Sequence, residues 1–175
     1  AVQVVLADGM RTLDQRTVQG ACVSATGWDG SACRRFATRS TVRAPTPFVE
    51  NGIAVGLEVV LFTPPGPGPF PTVMFNHGST GNGSDPALFT VTFASESVAR
   101  FFAERGWLVA FPQRRGRGAS DGIYDEGFTA NRSGYSCEAA IALAGATRAL
   151  ADLDAAVDFL RGRAEVDTTR MLAAS

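Results

Sequence analysis

The sequence predicts an α/β fold built on a mostly parallel sheet, with an antiparallel pair of strands on its amino-terminal side. Three observations predict it. Short continuous apolar runs, TVMF at 72–75 and WLVAF at 107–111, have the composition of strands buried on both faces. A helical pattern separates these runs, and a longer one follows at 137–161. Ahead of both lie two alternating apolar segments joined by a turn signal, which is the mark of a hairpin.

In chain order, residues 1–39 show no sustained period of 2 or 3.6 and are expected to form an irregular lead-in. Cys22 and Cys33 flank VSATGWDGSA, whose Gly, Ser and Asp residues let the chain turn back as a disulfide requires. Closing such a loop contributes about 3 kcal/mol in the chain-entropy model. Two unpaired thiols remain the alternative, and Cys137 is left over. The chain starts at Ala1 without a charged segment followed by an apolar one, as a processed product does. With the disulfide, this gives the expectation of a secreted or periplasmic location.

From Ser40 the pattern changes, and residues 40–175 are expected to form one domain. STVRA at 40–44 and GIAVGLEVVLFTP at 52–64 read as two antiparallel strands around Pro45, Pro47 and the Asn51-Gly52 turn. PPGPGPFP, from Pro64 to Pro71, lacks the donors for a ladder and is expected to be an exposed connection. The strand at 72–75 then runs into a glycine-rich turn, NHGSTGNG. Phe93, Val98, Phe101 and Phe102 have near-helical spacing before Gly106, a natural helix stop. After the next strand, QRRGRGASDG opens a polar loop reaching about Ser133. In the long helix at 137–161, Ile141, Leu143, Leu150, Leu153, Val157 and Leu160 form the apolar face. MLAA, from Met171, starts another buried strand.

Composition excludes several chemistries. The 16 basic and 17 acidic residues leave a formal charge of -1, too little field to gather nucleic acid or an anionic membrane. All the basic residues are Arg, which removes the lysine-dependent phosphate loop, Schiff-base catalysis and Ser-Lys dyads. No apolar run reaches the roughly 18 residues that a spanning helix needs. No cofactor or metal is expected.

His77 is the only histidine and stands at the carboxyl end of the first parallel strand, where open α/β sheets bind ligands. As a catalytic base it needs a nucleophile and an orienting carboxylate, which the local sequence does not offer. A turn-shaping histidine is the other reading. Arg115, Arg117, Asp121, Asp125 and Glu126 leave the same sheet edge, as cleft-lining groups or as an internally paired polar surface.

The succession TVMF-N-HG-STGNG, R-G-x-G-x-S (Arg115, Gly116, Gly118, Ser120), DLDAAVDFLRGR and D-x-x-R (Asp167 to Arg170) resembles the α/β-hydrolase superfamily over about 41–175. The dienelactone-hydrolase-like and prolyl-oligopeptidase-like branches are nearest, and the chain matches the amino-terminal half. The resemblance implies a serine hydrolase of esterase type acting on a small ester or acyl substrate. It implies that the backbone N–H of Ser79, with Thr80 beside it, serves the oxyanion hole, and that His77, Gly78 and Arg115 line the substrate cleft. The family's nucleophile elbow, acid and histidine follow the strand at Met171. They are expected in a carboxyl-terminal half, in the same or a second chain. Ser175 falls about two residues before the expected nucleophile, as a flanking residue or, less simply, as the nucleophile itself.

Two other readings stay open. The glycines at 78, 81 and 83 after a strand, with Arg114 and Arg115 ending the next, fit an NADP-binding Rossmann-like domain, although Asp85-Pro86 parts them from the helix. A non-catalytic module that needs a partner chain is the third.

Overall fold

The computed structural model describes residues 2–8, 11–18, 23–28 and 30–175, with side chains at 23–27 and 30–175. The lead-in is more regular than its sequence suggests. β1 (Val2–Asp8) pairs with β2 (Arg11–Val18), and β3 (Thr26–Trp28) with β4 (Cys33–Arg35), as two antiparallel hairpins. The second is pinned to the main body: Ser24 Oγ and the Ala25 N–H both donate to the Glu96 carboxylate, at 2.5 and 3.1 Å. Cys22 lies outside the described residues, so the pairing expected with Cys33 does too. Cys137 is an exposed free thiol.

The main sheet has five strands in the order β5-β6-β8-β7-β9. β5 (Thr38–Glu50) and β6 (Ile53–Thr63) form the expected hairpin, turning on Asn51 and Gly52 at φ 51° and 77°. Pro45 and Pro47 are tolerated because β5 is an edge strand whose register slips between Pro45 and Val49. β6 also pairs antiparallel with β8 (Leu108–Pro112), while β7 (Phe70–Phe75) pairs parallel with both β8 and β9 (Val166–Ala174). Only β6 therefore opposes the common strand direction.

Alternation along the strands builds two cores. Val59, Leu61, Leu108 and Ala110 face α2 (Ala139–Arg161), where Ala156 and Leu160 join them. Val60, Phe62, Val109 and Phe111 face α1 (Glu96–Ala103), where Ala99 and Ala103 join them. The helices thus cover opposite faces. α1 buries its small residues rather than its aromatic ones, and Phe101 is 52% exposed. In α2, Ile141, Leu143 and Leu150, expected on its apolar face, are exposed. β9 is a sheet edge, and Leu172 in it is exposed where a strand covered on both faces was expected.

The connections from β7 and β8 run to helices on opposite faces. Diverging connections of this kind mark the carboxyl ends of the two strands as the place where open α/β sheets bind ligands.

Candidate functional site

The turn after β7 is held to the end of β9. The Asn76 backbone N–H and its Nδ2 both donate to the Ala174 carbonyl, at 2.7 and 3.1 Å. Asn76 Oδ1 is buried and has no partner among the described residues. The glycine-rich turn and the last strand therefore finish side by side.

His77 is buried, and both its ring nitrogens are engaged. The Arg114 backbone N–H donates to Nε2 at 3.2 Å, which makes Nε2 the acceptor and places the proton on Nδ1. Nδ1–H then donates to the Gly78 carbonyl at 2.8 Å. Burial, reinforced by the Arg114 and Arg117 charges, pushes the imidazole pKa down to about 3 against the pull of that bond. It is neutral near pH 7 and is not offered to a substrate. Of the two sequence readings, the geometry gives the turn-shaping one.

Arg114 stands over the same turn. Its Nε meets Glu126 Oε1 at 2.5 Å, and its two terminal nitrogens donate to the carbonyls of His77 and Gly78 at 3.0 and 3.4 Å. The other Glu126 oxygen accepts from the Tyr124 hydroxyl at 2.9 Å. That hydroxyl accepts the Thr80 N–H at 3.3 Å, and the Tyr135 hydroxyl accepts the Gly81 N–H at the same distance. Burial and the Glu126 charge push the Tyr124 phenol up to about 12, so it stays a donor to Glu126. The aromatic rings pack as a group, with Tyr135 stacked on Phe128 and Phe128 against Tyr124.

The expected oxyanion donors part company here. The Thr80 N–H is taken by Tyr124, whereas Ser79 is exposed and its N–H has no partner among the described residues. Arg115, expected to line the cleft, is buried in the fold. Its Nε meets Asp152 Oδ1 at 2.6 Å, its own N–H donates to Asp152 Oδ2 at 2.9 Å, and a terminal nitrogen reaches Glu50 at 3.2 Å. A cation enclosed by two carboxylates has nothing left for a substrate. Burial raises the Asp152 pKa against the opposing pull of Arg115.

The rest of the loop is likewise spent on structure. Ser120 Oγ accepts the Glu58 N–H and donates to the Gln113 carbonyl, while Asp121 accepts the Gly56 N–H and pairs with Arg43. Asp125 accepts the Gly127 N–H at 3.1 Å. Arg117 lies over the Tyr124 ring, with its centre 5.4 Å from the centroid, and donates to the Leu88 carbonyl. Ser175 follows β9 and is exposed.

Sequence reasoning missed Asp152, Tyr124 and Tyr135. Asp152 had a visible signal, a charge in helical register with the buried Ala156 and Leu160. The tyrosines had none, because only the folded loop brings them to the turn.

The glycine turn does not form a phosphate cradle. α1 begins only at Glu96, beyond a 3-10 turn at Pro86–Leu88, so the helix that follows Gly78, Gly81 and Gly83 does not start at them. Gly83 serves packing: a Cβ there would stand 2.7 Å from the Phe128 ring. Among the described residues, no group of three or more His, Cys, Asp or Glu is placed to hold a metal ion. No helix among them is long and apolar enough to cross a membrane. A cleft of about 410 Å³ beside Phe36, Pro64, Ala103 and Gly106 opens at the other end of the sheet, away from His77.

No protein-family model matches the sequence, and no curated protein does. Solved structures do. A hypothetical protein of Pseudomonas aeruginosa superposes with a TM-score of 0.51 at 17% identity, over 79% of this chain and 35% of that one. Esterase Est22 gives 0.49 at 13% identity, over 79% and 34%. Acetyl xylan esterase 1 of a Thermoanaerobacterium species gives 0.46 at 15%, over 78% and 44%. The chain thus spans from about a third to under half of the length of these structures. Its fold is α/β, with the mixed, mostly parallel sheet expected from the sequence.

Proposed function

We propose that these residues form the oxyanion-stabilising part of a serine hydrolase that cleaves a carboxylic ester or a related acyl compound. One observation carries the reading: Ser79, in the turn after β7, is exposed and its N–H has no partner among the described residues, while the amides of Thr80 and Gly81 that follow it are engaged. A donor fixed where negative charge develops is often the largest single term in acyl transfer.

In the proposed reaction a serine hydroxyl attacks the acyl carbonyl while a histidine base takes its proton. The tetrahedral oxyanion is held by the Ser79 N–H. Collapse expels the alcohol, which takes the proton from that histidine, and water then releases the acid by the same route. His77 is locked as a neutral structural group, so the base is a different histidine. Because His77 is the only one in these 175 residues, the base belongs to further polypeptide, in the same or a second chain, and the proposal puts the nucleophile and acid there with it. β9 pairs only with β7 among the described residues, so its other edge is suited to pairing with that polypeptide. A Cys22–Cys33 disulfide and an exported protein complete the proposal.

The test is covalent labelling by a fluorophosphonate, with turnover of p-nitrophenyl acetate, in the polypeptide that carries the strand extension after Ser175. Labelling of one serine and saturable release of nitrophenol are expected. A polypeptide with an intact elbow that does neither would refute the hydrolase reading.

A further inference from the structure

The oxyanion reading leaves one matter open: what aims the Ser79 N–H. The amide belongs to the Gly78–Ser79 peptide unit, whose carbonyl is the one that accepts from His77 Nδ1 at 2.8 Å and from Arg114 Nη2 at 3.4 Å. Gly68-Pro69 is the one cis peptide among the described residues, so the 78–79 unit is trans. In a planar trans peptide the C=O and N–H point in opposite directions. Holding the carbonyl inward therefore turns the N–H outward, away from the protein. Gly78 has no Cβ to stop this peptide from flipping, and open space surrounds the position where one would stand. Some other group has to resist the flip.

We propose that Arg114 is a positioning residue that fixes the direction of the Ser79 N–H, with Glu126 orienting its guanidinium. The inference rests on the hydrolase reading for its catalytic meaning, and on geometry alone for the clamp. Three features support it. Arg114 is buried and spans the turn, with donors on two successive carbonyls, those of His77 and Gly78. Its Nε side is held by Glu126, itself fixed by the Tyr124 hydroxyl, so the planar fork has a single orientation. Its backbone N–H meets His77 Nε2, which puts the imidazole proton on the nitrogen facing the same Gly78 carbonyl. One residue thus holds that carbonyl directly and also through His77. A lysine is not equivalent, because a single ammonium does not serve Glu126 and both carbonyls with the same planar geometry.

The test compares R114K and R114M with the parent polypeptide that contains the strand extension, and uses E126Q in case R114M fails to fold. Two readouts are taken. The first is the Ser79 amide signal by nuclear magnetic resonance with 15N labelling. It is expected to be sharp in the parent and to broaden or split in the variants as the peptide flips. The second is ester hydrolysis, where kcat is expected to fall at least about tenfold with KM little changed, and R114K to recover only part of the loss. A Ser79 amide signal unchanged in folded R114M and E126Q overturns the clamp. So does a parallel fall in kcat and rise in KM with melting temperature as the only correlate. If the parent itself hydrolyses no ester, the hydrolase reading falls while the amide signal still decides whether Arg114 holds the peptide.

Discussion

The main-chain N–H of Arg114 donates to Nε2 of His77 at 3.2 Å, joining the loop after β8 to the turn after β7 at the point where their connections diverge. That bond settles the tautomer and leaves His77 without a free nitrogen. The chain's only histidine is a strut between two loops.

A neutral strut has a pH signature. The pKa of His77 is about 3 in the fold against an ordinary 6.5, so the unfolded chain takes up a proton that the native state refuses. The stabilisation is complete above about pH 6.5 and is lost as the pH falls toward 3, with a slope of up to about 1.4 kcal/mol per pH unit. Urea unfolding between pH 4 and 7 should show this slope, and H77Q should flatten it. An imidazole resonance that titrates near pH 6.5 in the native protein would contradict the assignment.

Arg115 and Asp152 should behave as a buried pair. R115M leaves Asp152 enclosed without its closest cation and is expected to cost about 3–5 kcal/mol in denaturant unfolding, while D152N leaves Arg115 with Glu50 and is expected to cost less. The double variant should recover part of that loss. Strict additivity would show that the two side chains do not depend on each other.

Asn76 ties the turn to β9 through Nδ2. In N76D a carboxylate oxygen replaces this donor against the Ala174 carbonyl, and about 1–3 kcal/mol of stability should go with it. The check is the urea midpoint near pH 7, and an unchanged midpoint would mean that the backbone bond alone holds the two ends together.

The centre of the sheet was readable because its strands bury both faces. TVMF and WLVAF name β7 and β8 within one or two residues, and Asn51-Gly52 names the hairpin turn. The lead-in hairpins were not, since a strand such as Cys33–Arg35, with all three residues exposed, leaves no apolar alternation to detect. β9 was foreseen as buried from MLAA, yet no further strand lies outside it among the described residues. At the site, His77, Gly78 and Ser79 stood out because a strand ran into glycines. The Arg114, Glu126 and Tyr124 network did not, because its members meet only after the 113–138 loop folds back over the turn.

The most direct test of the account separates the Ser79 side chain from its amide. In the polypeptide carrying the nucleophile, S79A keeps the N–H and S79P removes it. With ester hydrolysis measured on folded protein, S79A should stay within about twofold of the parent, while kcat in S79P should fall about 10²- to 10³-fold. A folded S79P with parental kcat would contradict an oxyanion role for this turn.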